Sequence, residues 1–142
     1  MSLLIMYLRE RRCDNMGGRG TFASGISVAY TYATIDTIEG IKVLGKIDPT
    51  KSGSLPEEAH SSNAYIQLDK EGVFRRMRFY NEGHLPVFEI DYHNEKGLSS
   101  HGEAVIHVHD YSAPGIENRL PARLPTAEEM KTYKKYFKGV VN

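Results

Sequence analysis

The sequence has almost no cysteine and no long apolar run. A single cysteine among 142 residues, Cys13, excludes an internal disulfide and fits a reducing compartment. The apolar stretch LLIMYL near the start is about six residues long, whereas a helix that spans a bilayer needs roughly twenty. It runs into RERR without a small-residue cleavage site, which is not typical of a secretory signal. We therefore expect a cytoplasmic protein that does not associate with membranes.

Net charge is also absent. Eighteen basic and eighteen acidic residues cancel, so no overall field attracts nucleic acid or an anionic membrane. Binding of that kind would need a local patch. The length and the ordinary share of apolar residues fit one compact domain with a modest core.

The segment MGGRGTFASG, residues 16–25, is too rich in glycine and small polar residues to form a helix or a paired strand unaided. It lacks the GxGxxG spacing and the GK[ST] ending of phosphate-binding loops. We predict that residues 1–25 form a flexible N-terminal arm and that residues 26–142 form a single α+β domain. Residues 48–63, rich in Pro, Gly, Ser and charge, predict a long exposed loop.

Alternation and turn residues predict an antiparallel sheet. Strands are indicated at 26–35 and at 41–47, after the turn at Glu39 and Gly40. From Tyr65 onward, short turns separate YIQLD, VFRRMRFY and VFEIDYH, and a glycine-containing loop leads to HGEAVIHVHDY, which is the pattern of a meander. We expect a sheet of about four to six strands.

A helix is predicted at the C-terminal end, where Thr126 and Glu129 have the spacing of a capping box. Met130, Tyr133 and Phe137 fall on one side of this helix at spacings of three and four residues. The helix should therefore pack on the apolar face of the sheet.

The period of two residues sorts the meander into two faces. The predicted core face consists of Ile66, Leu68, Met77, Phe79, Phe88, Ile90, Tyr92, Ala104, Ile106 and Val108. The opposite face, called the polar face below, consists of Tyr65, Arg76, Arg78, Glu89, Asp91, His93, Glu103, His107 and His109.

The polar face has three interpretations. It is an ordinary exposed face with ion pairs across strands, such as Arg76 with Glu89, although such a face has no need of three histidines. It is a metal site for Zn²⁺ or a related divalent ion, in which His93, His107 and His109 are joined by Asp91 or Glu103.

The third interpretation is acid–base cleavage of RNA without a metal or other cofactor. His107 and His109 would exchange protons with a 2′-hydroxyl and a leaving oxygen, while Arg76 or Arg78 neutralises the phosphate and Asp91 lies beside them. An arginine next to histidines opposes the binding of a cation, which favours this nuclease interpretation over the metal site.

Three separated segments, MGGRGTFASG, RRMRFYNEGHLPVFEIDYH and HVHDY with the following PTAEEMK helix, resemble proteins encoded in prophages of Firmicutes. Those proteins are often encoded beside, or fused to, phage head-morphogenesis proteins. The positions that match their pattern are Gly17, Gly18, Arg19, Gly20, Ile90, Asp91, His107 and His109.

The resemblance implies a phage origin more firmly than it implies a reaction. It suggests a protein of an infected or lysogenic bacterium, located in the cytoplasm or in the virion. The alternative to an enzyme is then a module that binds a phage structural protein or a host protein. An exposed sheet edge would also allow a homo-oligomer to form.

Overall fold

The structure is a computed structural model that describes residues 19–21, 27–29, 32–47 and 54–141. A seven-stranded sheet dominates it, with strands adjacent in chain order from β3 to β9. The strands are β3 (Tyr32–Ile38), β4 (Ile41–Lys46), β5 (Ala64–Leu68), β6 (Phe74–Tyr80), β7 (Pro86–His93), β8 (Val105–Tyr111) and β9 (Arg119–Arg123). A separate pair is formed by β1 (Arg19–Thr21) and β2 (Ser27–Ala29).

The meander from β5 to β8 forms as predicted, with antiparallel neighbours, short turns on either side of β6 and a longer loop, residues 94–104, between β7 and β8. In the turn before β6, the Asp69 carbonyl accepts from Gly72 N at 3.0 Å, and Gly72 has a positive φ of 83°. The β3–β4 hairpin also turns at the predicted pair, where Glu39 and Gly40 both have positive φ. The register therefore follows from alternation and turn length.

Two predictions about the sheet are wrong. It has seven strands rather than four to six, and β4 and β5 are parallel, so the sheet is mixed. The parallel pair follows from the long connection between Lys46 and Ala64, which lets the chain return in the same direction. The seventh strand, β9, carries Pro121, and it has one described neighbour, β8, which is where a strand tolerates proline.

The prediction of a flexible arm at residues 1–25 falls mostly outside the described residues. Of the segment 16–25, which was predicted to be unpaired, residues 19–21 form β1 and pair with β2. The backbone of this glycine-containing stretch therefore joins a two-stranded sheet once a partner strand is present.

The C-terminal helix, α1 (Ala127–Tyr133), begins with the predicted capping box. The Thr126 side chain accepts from Glu129 N, and the Glu129 carboxylate accepts from Thr126 N. A 3-10 helix, Lys134–Tyr136, continues it for one turn. No helix in the described ranges is long and apolar enough to cross a membrane.

The main core lies between the apolar face of the sheet and this C-terminal segment. Met130, Tyr133 and Phe137 contact it as predicted, and Phe137 is buried with its ring centroid 4.8 Å from that of Phe74. The predicted core positions on β5–β8 lie in or against this cluster, except Ala104, which is exposed because β8 begins one residue later.

A second cluster lies on the other side of the sheet. Its buried members are Leu44, Leu55, Ala59, Tyr65 and Tyr80. Leu55 and Ala59 belong to the segment predicted to be an exposed loop, so the part of that loop from residue 54 is partly buried. This loop brings backbone carbonyls onto the polar face.

Candidate metal centre

The polar face is assembled by the register of three adjacent strands. Arg76 on β6 is paired with Asp91 on β7, and Asp91 is paired with His107 on β8. One row further along, Arg78, Glu89 and His109 are paired in the same way. The structure thus brings together the predicted site residues on β6, β7 and β8, with His93 at the end of β7. Glu103, the alternative metal ligand predicted from the sequence, does not join them, because it lies in the exposed loop before β8.

This face is not the exposed surface that the ion-pair interpretation assumes. Arg78, Glu89, Asp91, His107 and His109 are all buried. The segment 54–63 covers one end, where Arg78 Nη1 donates to the carbonyls of Leu55 at 2.8 Å and Pro56 at 3.2 Å. Buried ionic groups are costly unless each is paired, so the partners of every group matter.

The three histidines are held in one tautomer by backbone carbonyls. Nδ1 lies 2.6 Å from the Asn94 carbonyl in His93, 3.0 Å from the Val105 carbonyl in His107, and 2.8 Å from the Leu120 carbonyl in His109. A carbonyl oxygen only accepts, so each Nδ1 must carry the hydrogen. A neutral imidazole in this tautomer presents an unprotonated Nε2, which is the form that ligates metals.

The three Nε2 atoms surround one carboxylate oxygen. Asp91 Oδ2 lies 3.6 Å from Nε2 of His93, 3.8 Å from that of His107 and 3.6 Å from that of His109. These distances are too long for hydrogen bonds. They bring lone pairs toward one another, and a positive charge beside them would stabilise the arrangement.

His107 shows the need for a partner most directly. It is fully buried, and its Nε2 has no hydrogen-bond partner among the described residues. Burial lowers the pKa of His107, which disfavours an imidazolium as the missing positive charge. The Glu95 carboxylate lies 3.5 Å from the same Nε2, on the side away from the strand.

The arginines are already paired with carboxylates. Arg76 donates to both oxygens of Asp91, from Nε to Oδ1 at 2.9 Å and from Nη2 to Oδ2 at 3.3 Å. Glu89 is held by Arg78 Nε at 2.9 Å, Arg119 Nη1 at 2.9 Å and the Tyr111 hydroxyl at 3.2 Å. The repulsion of a cation expected from the sequence is therefore largely neutralised.

These contacts shift the two buried carboxyl groups in opposite directions. Burial would raise the pKa of Glu89, but the charges of Arg78 and Arg76 outweigh it and lower that pKa to about 2. Burial and the charge of Glu89 raise the pKa of Asp91, despite the hydrogen bond from Arg76. Of the two buried carboxylates, Asp91 is thus the one whose negative charge is not balanced by the neighbouring arginines.

The described residues contain three sets of side chains whose ligand atoms lie within 4.8 Å of one another. They are Asp91 with His93 and His107, Glu95 with His107 and His109, and Glu89 with Asp91 and His109. Ligands at 2.0–2.1 Å from a tetrahedral ion are separated from each other by about 3.3 Å. The Nε2 to carboxylate separations of 3.5–3.8 Å need only a small contraction to reach that value.

Two residues of the site, Glu95 and Arg119, were not predicted from the sequence. Glu95 follows Glu89, Asp91 and His93 at intervals of two residues, so extending the alternation beyond the end of β7 would have found it. Arg119 begins β9, a short strand interrupted by Pro121, and the sequence carries no signal that it pairs with Glu89. Comparison of the chain with protein-family models, with curated proteins and with solved structures gave no match.

Proposed function

We propose that this protein binds one divalent transition-metal ion of the Zn²⁺ type. The candidate ligands are Asp91, His93 and His107, with His109 and Glu95 beside them, because ligand atoms within 4.8 Å of one another occur in the set Asp91, His93 and His107 and in the set Glu95, His107 and His109. Three imidazoles with one or two carboxylates suit Zn²⁺ and neighbouring first-row ions better than Mg²⁺ or Ca²⁺, which prefer oxygen ligands alone.

The observation that carries this proposal is the convergence on Asp91 Oδ2. Three imidazoles, each with its Nδ1 hydrogen donated to a backbone carbonyl, direct Nε2 toward one oxygen at 3.6–3.8 Å. A proton on Asp91 would satisfy one of these nitrogens at most. A metal ion between Asp91, His93 and His107 satisfies the nitrogens of both histidines and also balances the buried carboxylate.

The proposal predicts stoichiometric binding that depends on the buried histidines. Protein freed of metal with a chelator should bind about one Zn²⁺ per chain by calorimetry and elemental analysis. His107→Gln and His109→Gln should each weaken binding by at least about 100-fold, since even partners of metal ligands contribute 10–100-fold. His101→Gln is the matched control, because His101 is exposed in the loop before β8.

Two results would contradict the proposal. One is a wild-type protein that binds no Zn²⁺, Co²⁺, Ni²⁺ or Mn²⁺ above the level of the His107→Gln protein. The other is a loss of affinity in the control as large as that in the buried-site variants, which would indicate adventitious binding by surface histidines.

The metal-independent nuclease interpretation has less geometric support. A general base must reach the proton that it removes, but His107 is fully buried and Nδ1 of both His107 and His109 is engaged with a carbonyl. Arg76 and Arg78 are occupied by carboxylates rather than directed at solvent. RNA cleavage that persists in EDTA and is lost in His107→Gln and His109→Gln would restore this interpretation.

The prophage origin, the phage or host protein partner and the homo-oligomer stay predictions from the sequence. The metal proposal does not depend on them. A structural metal site would be compatible with an interaction module, because it would fix β7 and β8 without requiring a reaction.

A further inference from the structure

Glu95 differs from the other candidate ligands in position and exposure. Asp91, His107 and His109 lie on strands and are buried, whereas Glu95 lies in the loop after β7 with its side chain 32% exposed. Its Oε1 nevertheless lies 3.5 Å from His107 Nε2, a separation as short as those made by Asp91. The Glu95 side chain can rotate toward the solvent without disrupting the pairing of the strands.

The backbone of this loop is anchored independently of the Glu95 carboxylate. Glu95 N donates to Ser99 Oγ at 2.8 Å, and Ser99 Oγ donates to the Glu103 carbonyl at 2.8 Å. The Glu103 carboxylate accepts from the backbone N–H groups of Ser100 and His101. A movement of the Glu95 side chain therefore need not unfold the loop.

We propose that Glu95 is an exchangeable ligand on the solvent side of the metal, and that the position it leaves binds a small carboxylate molecule. The proposal rests on the proposed function. Zn²⁺ takes four ligands and the set of Asp91, His93 and His107 supplies three, so it leaves room for one more donor. In the protein without an added ligand, that donor is the Glu95 carboxylate. The position that it occupies therefore has the size and the charge that suit another carboxylate.

The test uses the Co²⁺-loaded full-length protein, because the visible spectrum of Co²⁺ reports its ligands without any need for activity. The wild-type spectrum should be nearly independent of pH between about 6 and 9 and insensitive to millimolar acetate. Glu95→Ala should change the spectrum and introduce a titration near neutrality from metal-bound water, whose pKa is roughly 7 on such ions. Acetate should then restore a spectrum like that of the wild type.

Glu82→Ala is the control, since it removes an exposed carboxylate from the turn between β6 and β7 and leaves the loop of Glu95 intact. The proposal predicts that this variant keeps the wild-type spectrum. Acetate should act on Glu95→Ala at a concentration at least tenfold lower than on the wild type or on Glu82→Ala.

The outcomes separate this inference from the proposed function. If the wild type binds no Co²⁺, the metal centre itself is refuted. If it binds Co²⁺ but Glu95→Ala has the wild-type spectrum, or Glu82→Ala changes as much, Glu95 is not a ligand. If Glu95→Ala alone changes but acetate has no effect, the position does not bind carboxylates and the inference is overturned.

Discussion

Asp91 has two oxygens with different surroundings. Oδ1 accepts the shorter hydrogen bond from Arg76, at 2.9 Å, while Oδ2 lies among three imidazole nitrogens. Burial and the neighbouring Glu89 raise the pKa of Asp91, so positive charge on one side is not enough to keep it readily ionised. In the proposed site, a metal ion on the histidine side would supply the second positive charge. Arg76 would then be the partner that orients a ligating carboxylate, an arrangement common around metal sites.

Glu89 should stabilise the metal-free fold strongly, because it is the common partner of three arginines. In the presence of chelator at pH 7, Glu89→Gln should lower the free energy of unfolding by about 3–5 kcal/mol, as expected when a buried ion pair loses one charge. The folded pKa of Glu89, about 2, is below its ordinary value of 4.5. Its contribution is therefore present above pH 4.5 and is lost as the pH falls toward 2.

Urea unfolding of both proteins at several pH values between 7 and 2.5 measures this. The difference in the free energy of unfolding between wild type and Glu89→Gln should decrease as the pH falls. Glu71→Gln, which alters an exposed turn, should stay within about 0.5 kcal/mol of wild type. An equal difference at pH 7 and pH 2.5 would mean that the charge of Glu89 is not what stabilises the fold.

The strands that carry the site were largely predictable, whereas their neighbours were not. The register of β6 and β7 follows from the period of two residues and from a short turn, whereas across the loop of residues 94–104 only the period of two residues indicates which side chains of β8 share a face with β7. The direction of β5 relative to β4 could not be derived, because a connection as long as residues 47–63 permits either direction. Strand β9 is short and is interrupted by Pro121, so it was missed altogether.

Phe137 should determine whether the C-terminal segment stays on the sheet. It is buried against Phe74, and the Lys138 carbonyl accepts from Phe74 N at 2.8 Å. Phe137→Ala should lower the free energy of unfolding by about 3–5 kcal/mol, because it leaves a cavity at this contact. Leu124→Ala, at a side chain that is 56% exposed, is the matched control and should change stability little. Denaturant unfolding with equal losses in the two variants would show that the segment is not held by Phe137.

The residues of the histidine cluster were predictable from the sequence, but their burial depends on the parts of the folded chain that cover them. Alternation places His107 and His109 on one face, yet it says nothing of what covers that face. The covering includes Leu55 and Pro56, from a loop whose composition predicts exposure, and Glu95, from beyond the end of β7. The burial of His107 and His109 is what favours the metal proposal over acid–base cleavage.

Metal binding should stabilise the whole protein, because the ligands come together only in the folded chain. At a free Zn²⁺ concentration 100 times the dissociation constant, the free energy of unfolding should rise by about 2.7 kcal/mol, or less if the unfolded chain also binds the ion. Imidazoles must be unprotonated to ligate, so the rise should shrink as the pH falls from 7 to 5. Thermal or urea unfolding with and without Zn²⁺ measures it, with His107→Gln expected to show little rise and His101→Gln the full rise. A rise that is equal in all three proteins would place the ion elsewhere, since His107 alone among these two histidines is buried beside Asp91.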